Sequence, residues 1–259
     1  MKTARIESVT SPANPLLRDV RRAIDRGGLT SEGLCAAEGC HLLAEAVRSR
    51  LEIPIVIFSE SAPVDQPPGA RAIVIPDKLF QSLASTETSQ GVIALVRLPE
   101  WRSEQIFGPR SLVVVLDGVQ DPGNAGAIVR AAEAFGATGL LFSKGSVNPH
   151  NPKALRASAG SFFRVPHVAR LATQSVRNLL AEHHLDVWAA VPFTGAERQA
   201  EHADFTRPCA LIIGSEAHGI SKELQESAML VAIPTAGVES LNAAMAASVL
   251  LYEARRQRS

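Results

Sequence analysis

The chain has 259 residues, 46% hydrophobic and 20% charged, with 26 basic against 26 acidic side chains. At ~150 residues per domain this is one large or two modest domains, apolar enough to exclude a disordered chain, and the charge balance excludes a uniformly basic nucleic-acid coat but not a local basic patch. No apolar run approaches the ~18 residues of a membrane span and the start lacks a signal peptide's apolar core. Cys35, Cys40 and Cys209 form no CxxC pair, so neither a disulfide framework nor a metal site is expected. The expectation is a cytoplasmic protein without metal.

In chain order, a helix is predicted over 16–24, carrying Arg18, Arg21 and Arg22, with Arg26 just beyond and Gly27-Gly28 as its stop. The first 26 residues hold six basic and three acidic side chains, a local positive excess. A second helix covers 39–47, strands are predicted at 53–58 and 72–75 around a Pro/Gly-rich turn, a helix at 76–84 and a strand at 91–96. This makes residues 1–105 a small α/β layer domain, with a linker by composition over 98–109.

Residues 106–259 alternate more regularly. The β-branched run 111–116 reads as a strand buried on both faces. A helix is expected over 124–135 with Gly136 as its C-cap, then strands at 140–143, 187–191, 208–214 and 231–234, a helix at 176–182, and a last helix over 241–256. Such alternation makes a parallel α/β sheet the default, with ligands at the carboxyl ends of the strands.

Three loops carry residues that packing does not demand. Between Leu116 and Arg130, a Gly/Pro-rich turn places Asn124 at the expected N-cap, and Arg130 follows on a helix otherwise made of Ala, Ile and Val, where a cation needs an anionic or polar partner. GxGxxG is absent, which disfavours a nucleotide-cofactor enzyme of the Rossmann type. After the strand at 208–214, Gly214 and Gly219 leave backbone bare for a ligand and hold Glu216 at the mouth. After Ile233-Pro234, Ser240 or Asn242 caps a helix with small residues on every face, which suits close approach by other backbone or by a second subunit.

In this order and spacing, the three loops closely resemble motifs 1, 2 and 3 of the SpoU/TrmH family, the 2′-O-ribose RNA methyltransferases of the SPOUT superfamily. Asn124 and Arg130 match motif 1, Gly214, Glu216 and Gly219 motif 2, and Ile233-Pro234 with Ser240-Leu241-Asn242 motif 3. Arg156, Ser158 and Gly160 resemble the R-x-S-x-G segment between motifs. Residues 11–15, Ala37-Glu38-Gly39 and 86–92 look like the substrate-binding domain that many members carry ahead of the catalytic one. One departure is Ala243-Ala244-Met245-Ala246, where members more often have Val-Ser-Val-Ala.

The resemblance implies a parallel-sheet SPOUT methyltransferase domain with a C-terminal trefoil knot, preceded by a small αβα RNA-binding domain. It implies S-adenosyl-L-methionine as cofactor, held by Gly214, Gly219, Ile233 and Leu241, and a homodimer joined through the knot and last helix. The implied reaction is methylation of a ribose 2′-hydroxyl in structured RNA, with rRNA favoured over tRNA; the alternative is a catalytically silent RNA-binding, ribosome-assembly protein. Arg130 would stabilise the developing alkoxide rather than act as a base, since a guanidinium has a pKa above ~12. Asn124 would orient Arg130, Glu216 would hold that arginine or the cofactor loop, and Ser240 and Asn242 would contact the ribose or order the knot. Arg18, Arg21, Arg22, Arg26, Arg156 and Ser158 are the candidate RNA contacts.

Overall fold

The computed structural model describes residues 6–195 and 197–259. By contact the chain forms two units, residues 1–100 with 148–164, and residues 101–147 with 165–259. The sequence places 148–164 in the second half; its contacts place it in the first unit.

The first unit is built on a five-stranded mixed sheet, in the order β1 (Ile6–Ser8), β4 (Arg71–Ile75), β3 (Glu52–Ser59), β5 (Val92–Arg97), β2 (Cys35–Glu38). β1, β4 and β3 run parallel, whereas β5 is antiparallel to both β3 and β2. Helices α1 (Pro15–Arg26), α2 (Cys40–Arg48) and α3 (Asp77–Leu83) connect them. α1 starts where Asn14 Oδ1 accepts from the Leu16 and Leu17 amides and Pro15 pre-sets the first turn; it stops at Gly27 in the left-handed region, φ 58°. Leu17 and Val20 face a core of Leu34, Ile57, Ile73, Phe80 and Ile93, so α1's four arginines stay outside.

The 148–164 segment carries α5 (Pro152–Ala157). Two buried carboxylates hold it in the first unit. Glu38 takes a bond from Arg156 Nη1 at 3.1 Å, and Glu45 from Arg164 Nη1 at 2.8 Å. Gly160 lies so close to Glu45 that a Cβ there would meet the Glu45 Cβ at 2.7 Å.

The second unit is a seven-stranded sheet, parallel throughout, in the order β10 (Arg198–Gln199), β12 (Met229–Ala232), β9 (Asp186–Ala190), β11 (Cys209–Gly214), β6 (Leu112–Asp117), β7 (Gly139–Ser143), β8 (His167–Leu171). β6 and β11, buried along almost their whole length, form the centre, as their unbroken aliphatic runs require. The short helix α7 (Lys222–Gln225) lies between β11 and β12. Around the sheet run α4 (Pro122–Phe135), α6 (Thr173–Glu182) and α8 (Ala243–Gln257), of which α4 and α8 pack on each other. Chain order leaves β6 outward through β7 and β8, then resumes on the other side with β9, which makes the β6/β11 junction the switch point where α/β sheets place ligands.

Cys35 and Cys209 are buried packing groups whose thiols burial pushes up to about 12 and about 11, so neither is a thiolate near neutrality. Among the described residues no helix is long and apolar enough to cross a membrane, and no three His, Cys, Asp or Glu converge as a metal would need.

Candidate active site

The register of β6 and β11 pairs Leu116 with Ile213 and Asp117 with Gly214, so motifs 1 and 2 leave the sheet side by side. Asp117, buried at that edge, accepts from Ser143 Oγ and from the Ser221 amide, both at 2.7 Å, and so ties the end of β7 and the exit of the motif 2 turn to β6. It was not singled out in the sequence, although an aspartate closing a buried aliphatic strand is a detectable signal.

Motif 2 is a tight turn closed by mutual Ser215 and Gly219 amide-to-carbonyl bonds at 3.0 and 2.9 Å. Its two glycines have different reasons. A Cβ on Gly214 would stand 2.3 Å from the Gly219 carbonyl carbon, whereas Gly219 has open space but a φ of 67°. Gly214 therefore allows the turn to fold back on itself rather than clearing room for a ligand.

Three predicted residues converge at the mouth of this turn. Asn242 Nδ2 donates to Glu216 Oε1 at 2.6 Å and to Asn124 Oδ1 at 3.0 Å, and Asn124 Nδ2 donates to the same Glu216 oxygen at 2.9 Å. Asn242 Oδ1 meanwhile caps α8, accepting from the Ala244 and Met245 amides. The N-cap of α4 is Asp121, whose carboxylate accepts from the Asn124 amide at 2.7 Å, and Pro122 takes the first helical position. Asn124 thus sits inside the first turn with its amide free to meet Glu216. Glu216 holds two asparagines, not Arg130.

The network lies between two hollows. One, of about 250 Å³, is lined by Gly214, Glu216, Gly219, Ile233, Ser240 and Leu241, every predicted cofactor residue included. Val191, Pro192 and Phe193 after β9 also line it, as does Glu239; no motif marks that stretch, only a strand end with Pro and Gly. The other, of about 160 Å³, is bounded by Gln120, Asn124, Glu216, His218 and Ala243. Apolar walls beside a strip of bare turn backbone fit a nucleoside with a polar tail, and a rim carboxylate suits a cationic group on it.

Arg130 lines neither hollow. It is exposed on α4, six residues or about 9 Å of helix rise past Asn124, and has no ion pair or hydrogen bond among the described residues. In the first unit, Arg18, Arg21, Arg22 and Arg26 are exposed on α1, Arg21 donating to Ser82 Oγ and Arg22 lying 3.9 Å from Asp19. Arg156 is paired with Glu38, and Ser158 is fully buried with its hydroxyl on the Leu155 carbonyl, which removes Ser158 from the RNA-contact set.

A parallel sheet whose switch point carries these loops defines a class, and sequence comparison agrees with it. The SpoU rRNA Methylase family profile matches residues 111–252, and an MRM3-like substrate binding domain profile matches 14–94. The chain belongs to the SpoU rRNA methylase family. It is similar to an uncharacterized tRNA/rRNA methyltransferase of Synechocystis, at 36% identity over 98% of this chain and 96% of that one. It is 30% identical to the 23S rRNA (guanosine(2553)-2′-O)-methyltransferase RlmP of Bacillus subtilis, over 96% of this chain and 100% of that one. Among solved structures, the AdoMet-bound rRNA methyltransferase from Sinorhizobium meliloti superposes with a TM-score of 0.81 at 26% identity, covering 97% of this chain and 98% of the other.

Proposed function

We propose that this protein methylates a ribose 2′-hydroxyl in structured RNA, rRNA rather than tRNA, with S-adenosyl-L-methionine as methyl donor. One observation carries the reading: motifs 1, 2 and 3 meet through Asn124, Glu216 and Asn242 at the rim shared by the two hollows. Relatives that act on rRNA support the choice of RNA.

The larger hollow would hold the cofactor, with Ile233 and Leu241 against its apolar parts, the 214–219 turn offering backbone groups, and Glu239 near its positive charge. When bound, S-adenosyl-L-methionine supplies an electrophilic methyl carbon. The smaller hollow would take the ribose, beside Asn124 and Ser215. Glu216, tethered by two side-chain amides, fixes the spacing of the two hollows and leaves its other oxygen to meet a hydroxyl. Arg130, a cation without an internal partner, is assigned to the phosphate and developing oxyanion of the RNA. Ser240, exposed on the motif 3 loop, lines the larger hollow and is assigned to the cofactor side.

A homodimer belongs to the same reading. Met245, Val249 and Tyr252 are exposed on α8 at a spacing that puts them on one face, 58%, 42% and 57% accessible, as a subunit interface would need. So does the trefoil knot. It is supported by β11 entering between β9 and β6, and by α8 returning to β11 and α4 after β12 has run outside β9.

The test is transfer of a labelled methyl group to unmodified rRNA, followed by alkaline hydrolysis. A 2′-O-methyl blocks cleavage at its own linkage, so the label is expected in alkali-resistant dinucleotides. Label recovered on a base, or none transferred by a folded protein, would refute the proposal.

A further inference from the structure

The first unit holds a second nucleoside-sized hollow, of about 290 Å³, bounded by Glu38, Gly39, His41, Leu42, Gln90 and Arg156. It is built from the segments 37–39 and 86–92, which the methyl-transfer site does not use.

Its polar groups are arranged with one bias. The Glu38 carboxylate is largely occupied: Oε2 accepts from the Ser85 amide, Ser85 Oγ and Arg156 Nη1, and Oε1 accepts from Thr86 Oγ1. Burial alone would raise its pKa, but the Ser85 and Thr86 bonds and the Arg156 charge outweigh that and hold the carboxyl below its ordinary value. Gln90 Oε1 is also occupied, accepting from the Cys40 amide at the start of α2. What remains free is mainly donors, with the His41 imidazole and the Thr88 hydroxyl able to donate or accept. The Gln90 Nε2 amide, the Nε and Nη2 of Arg156 and the Thr88 hydroxyl have no partner among the described residues. Leu42, 2% exposed, supplies an apolar floor, and Gly39, at φ 103°, lets Gln90 pack against the start of α2.

The Glu38–Arg156 pair cancels in charge, so the hollow does not select for a phosphate. A flat, neutral guest rich in acceptors fits it, and the unstacked base of a single-stranded RNA segment is such a guest. We infer that this hollow captures one splayed-out base of the substrate RNA, read by Gln90 and Arg156, while the exposed arginines of α1 supply only sequence-independent attraction to phosphates. The inference rests on the methyl-transfer reading.

The discriminating variant is Gln90→Glu. It keeps the oxygen that caps α2 and replaces the free donor with a carboxylate that repels base carbonyls. The probe is unmodified 23S rRNA, with affinity read by filter binding and S-adenosylhomocysteine affinity by calorimetry. Gln90→Glu is expected to weaken RNA binding by about tenfold or more, the scale of one lost base-reading pair. Homocysteine-adduct affinity and melting temperature should not move. Photocrosslinking of 4-thiouridine-substituted rRNA should label residues within 39–42 or 86–90. Unchanged RNA affinity in a folded Gln90→Glu protein, or crosslinks confined to α1, overturns the assignment. A wild-type protein that binds S-adenosylhomocysteine but no RNA defeats both this inference and the reading beneath it.

Discussion

Each unit of this protein gathers distant segments around one glutamate, and the two do it in opposite ways. Glu38 is 4% exposed and is answered by a cation, Arg156, because a carboxylate taken out of water costs several kcal/mol unless charge and hydrogen bonds offset it. Glu216 stays in contact with solvent and is answered, among the described residues, by the neutral amides of Asn124 and Asn242, while the cation Arg130 has no partner among those residues. A paired buried charge is costly to break, because removing one partner strands the other; an unpaired one at a rim is available to a ligand. The same residue types therefore predict stability in one unit and chemistry in the other.

The largest effect should come from breaking the buried pair. Arg156→Met leaves Glu38 uncompensated and should cost about 3–5 kcal/mol, read as a fall in thermal midpoint of the first unit's transition. Adding Glu38→Gln should return part of it, and a midpoint that does not move would show the two clusters to be alike. Next, Arg130→Ala should slow methyl transfer by about 100-fold, the scale of losing one oxyanion-stabilising donor, with thermal stability untouched. Arg130→Lys should recover little, since a point charge on a flexible stem does not reproduce a planar fork. A normal rate in Arg130→Ala would place the activating group elsewhere.

Asn242→Ala tests the one residue that serves both purposes. Loss of the α8 cap should cost about 1 kcal/mol by denaturant titration. Asn242→Asp, which keeps the capping oxygen but loses both Nδ2 bonds and faces Glu216 with a like charge, should retain the cap's contribution and still lower the rate. The smallest effect is with pH. The folded-state pKa of Glu38 lies below its ordinary 4.5, so its contribution is present above that value and fades as pH falls below it through the folded pKa. Denaturant titrations at falling pH should show this loss in wild type and a shallower one in Glu38→Gln.

How far the sequence reached differs between the two clusters for a physical reason. The motif loops at Asn124, Gly214 to Gly219 and Ser240 to Asn242 stand out because polar residues and glycines interrupt aliphatic runs, and their convergence follows from strands of one parallel sheet. The partners inside the cluster were not legible. Spacing could not say that Asp121 rather than Asn124 caps α4, which freed Asn124 to meet Glu216, 92 residues away. The strand Cys35–Glu38, half of it alanine, has no β-propensity signal, and it is made by pairing with β5. Nor could local pattern assign residues 148–164, since what places them is a contact between Arg156 and Glu38, 118 positions apart.

That assignment bears on how the chain is made. The first hundred residues leave the ribosome first, yet the cation for Glu38, the second of the two cations on Glu45, and the buried rings of Phe162 and Phe163 lie in a segment translated only after β6, α4 and β7 of the other unit. The N-terminal unit must wait, incomplete, while the 47 intervening residues 101–147 pass, and it closes only once Arg164 has emerged, against the usual order in which N-terminal domains finish first. A nascent chain arrested before residue 148 would carry Glu38 without its cation and Glu45 with only Arg48 beside it, and neither unit can be cut out as one continuous stretch of polypeptide.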